Sequence, residues 1–310
     1  MKTISIMVPT YNEEENVGLL YAAIIDEFNK NLKGYDYEIV FIDNYSKDKT
    51  RDKLAELCKK DKKVKAIFNA KNFGQLKSPY YGMLQTTGDC TIIMCADFQD
   101  PIDMIHKFVV EWENGFKIVI GIKNTSRESK FMYLMRSIYY KLIKKVASTE
   151  QIEHFTGFGL YDKKFIEVMR NLNDPMPYFR GIISEVGYER KEINYEQARR
   201  LHGKSKNNFF SLYDIGMLGI TSYSKVAIRL ATLLGFLIAG LSFVVGLVYL
   251  ALKLMFWDSF PIGMAPIAVG VFFMGSIQLI FLGLIGEYIL NINIRVMNRP
   301  LVVEEKRINF

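Results

Sequence analysis

The sequence predicts an α/β domain, a mainly parallel sheet with helices on both faces, followed by a pair of membrane-spanning helices. Three observations lead there. Short apolar runs alternate with amphipathic helical stretches over the first two-thirds of the chain, the pattern of a parallel sheet wrapped by helices. Each apolar run stops in a polar cluster. The last third holds two long runs without a charged residue, Leu230 to Leu252 and Ser259 to Gly286. Each exceeds the roughly 20 residues needed to cross the hydrocarbon core.

The elements follow in order. Thr3 to Val8 reads as a first buried strand, broken by Pro9-Thr10-Tyr11-Asn12. Asn12 is placed to cap a helix whose first turn carries Glu13, Glu14 and Glu15. Val17, Leu20, Tyr21, Ile24 and Phe28 give that helix one apolar face. Tyr37 to Ile42 is the second strand, ending in Asp43-Asn44-Tyr45-Ser46-Lys47-Asp48-Lys49-Thr50, and a helix through Leu54, Leu57 and Cys58 follows. Val64 to Phe68 is a third strand, ending in Asn69 to Gly74, with a helix through Tyr80, Met83 and Leu84 after it. Thr91 to Met94 is a strand, Ile102 to Trp112 a helix and Phe116 to Gly121 another strand.

In a doubly wound sheet all these strand ends share one edge, where ligands bind. Asp97 and Gln99 lie just past the fourth strand, before Asp100-Pro101. Two residues apart, they project to the same side in extended backbone. Their oxygens suit a hard divalent cation, which in turn holds a diphosphate. The alternative is a polar turn with Pro101 opening a helix.

Composition narrows the partners. The 310 residues carry a formal charge of +7. With two apolar runs present, a membrane surface and a phosphorylated substrate account for that charge; the basic residues flank the hairpin and form no nucleic-acid motif, which excludes nucleic acid. Cys58, Cys90 and Cys95 show neither metal spacing nor a disulfide framework, and Cys90 and Cys95 read as small core residues. Ile4 to Val8 is too short for a signal peptide.

Beyond the fifth strand, Lys130 to Val146 reads as a helix with Arg136, Lys141, Lys144 and Lys145 on its flanks, either a solvated face or a surface for phosphate or anionic lipid. Phe155 to Asp162, rich in glycine and aromatics, reads as a loop near a ligand. Glu196 to Phe210 carries Arg199, Arg200, Lys204 and Lys206 around Gly203, either a loop that folds over an anion or a solvated linker. The expected organisation is a catalytic domain over 1–208, interfacial amphipathic helices over 209–229, two spans within 230–290, and a tail over 291–310. Lys225 and Arg229 precede the first span, and Arg295 and Arg299 follow the second, so both termini are expected in the cytoplasm.

Taken together, Val8-Pro9-Thr10-Tyr11-Asn12-Glu13, Ile42-Asp43-Asn44 with Asp48-Lys49-Thr50, Asn72-Phe73-Gly74 and Ala96-Asp97-Phe98-Gln99-Asp100-Pro101 resemble family 2 glycosyltransferases of the GT-A fold, a Rossmann-like α/β architecture. With Ile220 to Ser224 and the two spans, the chain is similar to bacterial polyprenyl-phosphate glycosyltransferases and to dolichol-phosphate mannose synthases. The resemblance implies inverting transfer of a hexose, from UDP-glucose or a related UDP-hexose, to a polyprenyl phosphate at the bacterial inner membrane. It implies that Pro9, Tyr11, Glu13, Asp43, Asn72 and Ala96 line the nucleotide pocket. Asp97 and Gln99 hold Mg²⁺ or Mn²⁺. Arg200 and Lys206 act on the diphosphate, and Arg136, Lys123 and Ser205 meet the acceptor phosphate. A homo-oligomer, a tetramer, is implied as well. The chain departs from the family pattern at Asn44 and Cys95, where acids are usual, and at Lys123, where arginine is common. Two other readings are a processive polysaccharide synthase and a non-catalytic nucleotide-sugar-binding scaffold. The first usually needs more spans and an acceptor motif not found in this sequence; the second draws only on Asn44 and Cys95.

Overall fold

A computed structural model describes residues 1–123, 152, 154–198, 200–201, 216–219, 221–222, 226–256 and 264–310. The helix expected over Lys130 to Val146 and most of the basic stretch after Arg200 lie outside the described residues. Strands β1 (Thr3–Thr10), β2 (Asp36–Asp43), β3 (Val64–Asn69), β4 (Cys90–Ile93), β5 (Ile118–Lys123), β6 (Phe155–Asp162), β7 (Arg190–Tyr195) and β8 (Glu304–Ile308) form one sheet in the order β7-β5-β6-β4-β1-β2-β3-β8. Pairings β1–β2, β1–β4, β2–β3 and β5–β7 are parallel. β6 and β8 run antiparallel to their neighbours.

Both sheet faces are covered, and alternation along the strands divides the core. Ile4, Ile6, Val8, Ile39 and Phe41 pack against α1 (Val17–Asn31), α2 (Thr50–Lys60) and α4 (Met104–Glu113) through Leu20, Ile24, Leu54 and Phe108. Met7, Val40, Ile42 and Ile67 face the other way, toward Tyr80 and Met83 of α3 (Gly74–Leu84). The same side holds Phe165 and Met169 of α5 (Lys163–Leu172) and Ile182 of α6 (Phe179–Val186). Period-two alternation within nearly continuous apolar runs is what a strand buried on both faces requires.

Three expectations change. Phe155–Asp162 is no loop but a central strand. Gly159 is required there, because a Cβ would lie 2.5 Å from the Val119 carbonyl oxygen. Its aromatics are core: the Phe158 ring stands 4.9 Å from Phe108 and 5.3 Å from Tyr195. Helix α1 begins at Val17 with Asn16, not Asn12, at its cap position. Residues 291–310 are more than a tail. Helix α8 (Met264–Met297) runs on past Gly286, and Glu304–Ile308 then joins the edge of the sheet beside β3.

Helix α8 and helix α7 (Val226–Met255) carry long apolar stretches, Phe273–Met297 and Ala231–Val248, with no residue of either buried. Exposed Phe236, Leu237, Leu241, Phe243 and Val244 on one and Leu279, Ile280 and Leu282 on the other suit lipid rather than water. The foot of α8 is tied to the domain. Arg295 donates to Asp174 Oδ1 at 2.8 Å, and the Asn291 amide donates to Thr221.

Candidate active site at the carboxyl edge of the sheet

The strand ends converge as the alternating pattern requires. Thr10 and Asp43 stand side by side in register, and Ile93 lies beside Met7. Beyond β1, β2 and β4 the backbone turns sharply through Asn12 (φ 56°), Tyr45 (φ 70°) and Phe98 (φ 59°). Left-handed residues other than glycine are costly, and they concentrate where surrounding structure holds a functional loop in shape.

The first two loops are stitched together. The Asn12 N–H donates to Ser46 Oγ at 2.8 Å, and Asn12 Oδ1 accepts from the Lys47 N–H at 2.8 Å. The Glu13 N–H donates to Thr50 Oγ1 at 2.8 Å, while Asp48 Oδ1 accepts from the Thr50 hydroxyl at 2.6 Å. Ser46, Asp48 and Thr50 therefore hold the Pro9–Glu13 loop in place. Their polar character was visible in the sequence, but their partners, more than thirty residues upstream, were not.

Asp43 is fully buried at the end of β2. Its Oδ2 accepts from the Ser46 N–H at 3.1 Å and from Arg51 Nε at 2.8 Å. Its Oδ1 is buried without a partner among the described residues, so an incoming N–H donor would satisfy it. Arg51 was not singled out in the sequence. Burial lowers its basicity, but the hydrogen bonds it donates to Asp43 and Glu305 outweigh that and raise it.

Asn44, which stands where an acid was expected, is a clamp. Its Nδ2 donates to Asn72 Oδ1 at 2.9 Å and to the Gly74 carbonyl at 3.2 Å. Its Oδ1 accepts from the Phe73 N–H at 2.8 Å and from Asn69 Nδ2 at 3.2 Å. Both donor and acceptor are used, which a carboxylate, acceptor only, cannot provide. Asn72 thus closes the third loop onto the second.

Asp97 and Gln99 do come together, though not through extended backbone. They sit in a turn around Phe98, where the Gln99 N–H donates to Asp97 Oδ1 at 3.2 Å. Asp97 Oδ2 and Gln99 Oε1 then converge on Arg200 Nε, at 3.1 and 3.3 Å. Asp97 is buried, and the Leu201 N–H closes over its carbonyl at 3.3 Å. Two hard oxygens meeting at one cationic group fit Mg²⁺ or Mn²⁺. No cluster of three or more His, Cys, Asp or Glu is found among the described residues, so further coordination would fall to diphosphate and water.

Asp100 has a different task. Its Oδ2 accepts from the Cys95 N–H at 2.8 Å and its Oδ1 from the Tyr195 hydroxyl at 3.3 Å. Burial pushes it up to about 6. Cys95, expected in the core, is exposed, whereas Cys90 is buried. Lys123, at the end of β5, donates to Gln197 Oε1 at 2.8 Å. Pro9 and Tyr11 lie at the end of β1, and Ala96 is buried directly before Asp97. Arg136, Ser205 and Lys206 lie outside the described residues.

Residues 5–187 match the model of glycosyl transferase family 2. The chain belongs to that family. It is 32% identical over 305 residues to a prophage-derived bactoprenol glucosyl transferase of Shigella flexneri, covering 98% of this chain and 97% of the relative. It is 33% identical over 297 residues to a putative glycosyltransferase of Bacillus subtilis (strain 168), covering 96% and 89%. Among solved structures, mannosyl-3-phosphoglycerate synthase from Rubrobacter xylanophilus superposes with a TM-score of 0.49 at 15% identity, covering 76% of this chain and 75% of that one. The protein is a glycosyltransferase with a GT-A-type sheet and two apolar helices.

Proposed function

We propose that this glycosyltransferase moves a hexose, from UDP-glucose or a related UDP-hexose, to a polyprenyl phosphate with inversion at the anomeric carbon. The observation that carries the reading is the meeting of Asp97, Gln99 and Arg200 at the sheet edge of a chain that also holds two long exposed apolar helices. The full-length similarity to bactoprenol glucosyl transferases supports a lipid acceptor.

In this reading Pro9, Tyr11, Glu13, Asn72 and Ala96 shape the nucleotide pocket, and Asp43 Oδ1 accepts an N–H of the base. Asp97 and Gln99 hold a divalent ion, which when bound offsets charge on the departing diphosphate. Arg200, which holds those two oxygens without the ion, would give way to it and turn its guanidinium to the diphosphate, where negative charge grows as the bond to the sugar breaks. Lys206 shares that task. The nucleophile is a phosphate monoester, largely dianionic at neutral pH because its second pKa is about 6, so a strong general base is not needed. Alignment opposite the leaving group is, and Lys123, Arg136 and Ser205 are assigned to it. The apolar helices sit in the bacterial inner membrane, with 209–229 at its surface and the catalytic domain and both termini in the cytoplasm. The protein works as a homo-oligomer.

The test is the purified protein with a short polyprenyl phosphate, a panel of UDP- and GDP-sugars, and Mg²⁺ or Mn²⁺. The expected result is a chelator-sensitive lipid-phosphate-sugar detected by mass spectrometry. Transfer to water or to a growing glycan alone would overturn the proposal.

A further inference from the structure

The C-terminal strand reaches the donor site. We infer that Arg51 and Glu305 are positioning residues for the nucleotide, so that β8, the strand beyond the second apolar helix, completes the donor pocket. This rests on the reading of Asp43 as a nucleotide contact.

Arg51 is held by three acceptors on three strands. Nε donates to Asp43 Oδ2 at 2.8 Å, Nη2 to the Asn69 carbonyl at 2.7 Å, and Nη1 to Glu305 Oε2 at 2.9 Å. The guanidinium also lies 5.6 Å from the Tyr45 ring and 5.4 Å from the Phe68 ring. A planar fork can satisfy three acceptors at fixed angles, whereas a lysine ammonium is a point charge. The result is a carboxylate with one oxygen anchored and the other, Oδ1, left for a ligand.

Glu305 is brought there by a bulge. Phe68 pairs with Lys306 and Asn69 with Glu304, so Glu305 is the extra residue on β8. Bulges re-aim a side chain and recur beside active sites. The strand carrying it is anchored at both ends. Tyr81 donates to Glu304 Oε1 at 2.8 Å, and the Asn309 amide donates to the Cys58 and Val64 carbonyls at 2.7 and 2.8 Å.

The Glu305 side chain is 54% exposed. An ion pair that open to solvent contributes little to folding, so its loss separates positioning from stability. The test is calorimetric binding of UDP and of GDP, with Mn²⁺, to the full-length protein in detergent, together with donor KM and kcat. Glu305→Ala is expected to weaken UDP or GDP binding by about threefold to tenfold, the scale of one ordinary hydrogen bond. Donor KM should rise with kcat held and the thermal midpoint unchanged. Arg51→Ala should lose more, Arg51→Lys should not rescue, and adding Glu305→Ala to Arg51→Ala should cost nothing further. Unaltered binding in Glu305→Ala, or additive losses in the double variant, overturns the inference while leaving the proposed reaction standing. Wild-type protein that binds neither nucleotide overturns both.

Discussion

Asn44→Asp is the substitution that separates family pattern from local structure, because it restores the acid usual at that position. The Asn44 side chain makes four hydrogen bonds at a site only 8% exposed. Aspartate keeps the two it accepts and loses the two it donates. It also sets a carboxylate oxygen against Asn72 Oδ1 and the Gly74 carbonyl. Rotating the Asn72 amide does not repair this, since Asn72 Oδ1 also accepts from the Gly74 N–H at 2.8 Å. Two lost bonds at about 1 kcal/mol each, with a buried carboxylate set against two acceptors, come to about 3 kcal/mol. At about 2–4 °C per kcal/mol for a domain of this size, the unfolding midpoint falls by about 6–12 °C. Thermal unfolding of wild type and variant in the same detergent, followed by circular dichroism, measures it. An unchanged midpoint with tighter nucleotide–metal binding would refute the clamp and return position 44 to a ligand role.

Further outcomes follow from the same geometry. Asp97→Asn keeps shape and removes charge where Gln99 and Arg200 meet; turnover measured by product mass spectrometry at saturating donor should fall by about 10²–10³-fold, the scale of one preorganised electrostatic group. Gly159→Ala forces a Cβ to 2.5 Å from the Val119 oxygen and 3.1 Å from Ile120 Cα, and should lower stability in urea by about 1–3 kcal/mol, because strand backbone cannot give way. Glu38 is buried; burial raises its pKa, but Lys65, Ser5 and Thr87 hydrogen bonds outweigh that and hold it below its usual 4.5. Its contribution is therefore present above pH 4.5 and is lost as the pH falls through the lower folded value. Glu38→Gln should cost about 3 kcal/mol at neutral pH and flatten that acid limb of the stability profile; a limb of wild-type steepness would assign it to other groups.

The parallel core was legible because its strands are apolar on both faces and each stops at a polar cluster, as Ile39 to Asp43 shows. Asp97 and Gln99 were legible by residue type. Their conformation was not, since the left-handed Phe98 has no sequence signature. β6 was misread because Gly157, at φ 102°, and Gly159, which allows close strand approach, have the composition of a loop. Glu304–Ile308 has almost no apolar pattern to read. It is a strand because β3 offers an unpaired edge, and that edge is fixed by residues 235 or more positions upstream. Asn12 was mistaken for a cap because its side chain bonds the neighbouring loop instead of its own helix.

The placement of β8 also bears on how the molecule is handled in the laboratory. A soluble fragment cut before the first apolar helix would not be the catalytic domain without its anchor. It would lack one strand of its sheet, and the Ala66 to Asn69 backbone would be bare along one side. Exposed edges of that kind recruit strands from other molecules, so such a fragment should self-associate. Rejoining residues 302–310 through a designed linker, with the helices left out, should instead yield a monodisperse domain whose eighth strand is back in its slot.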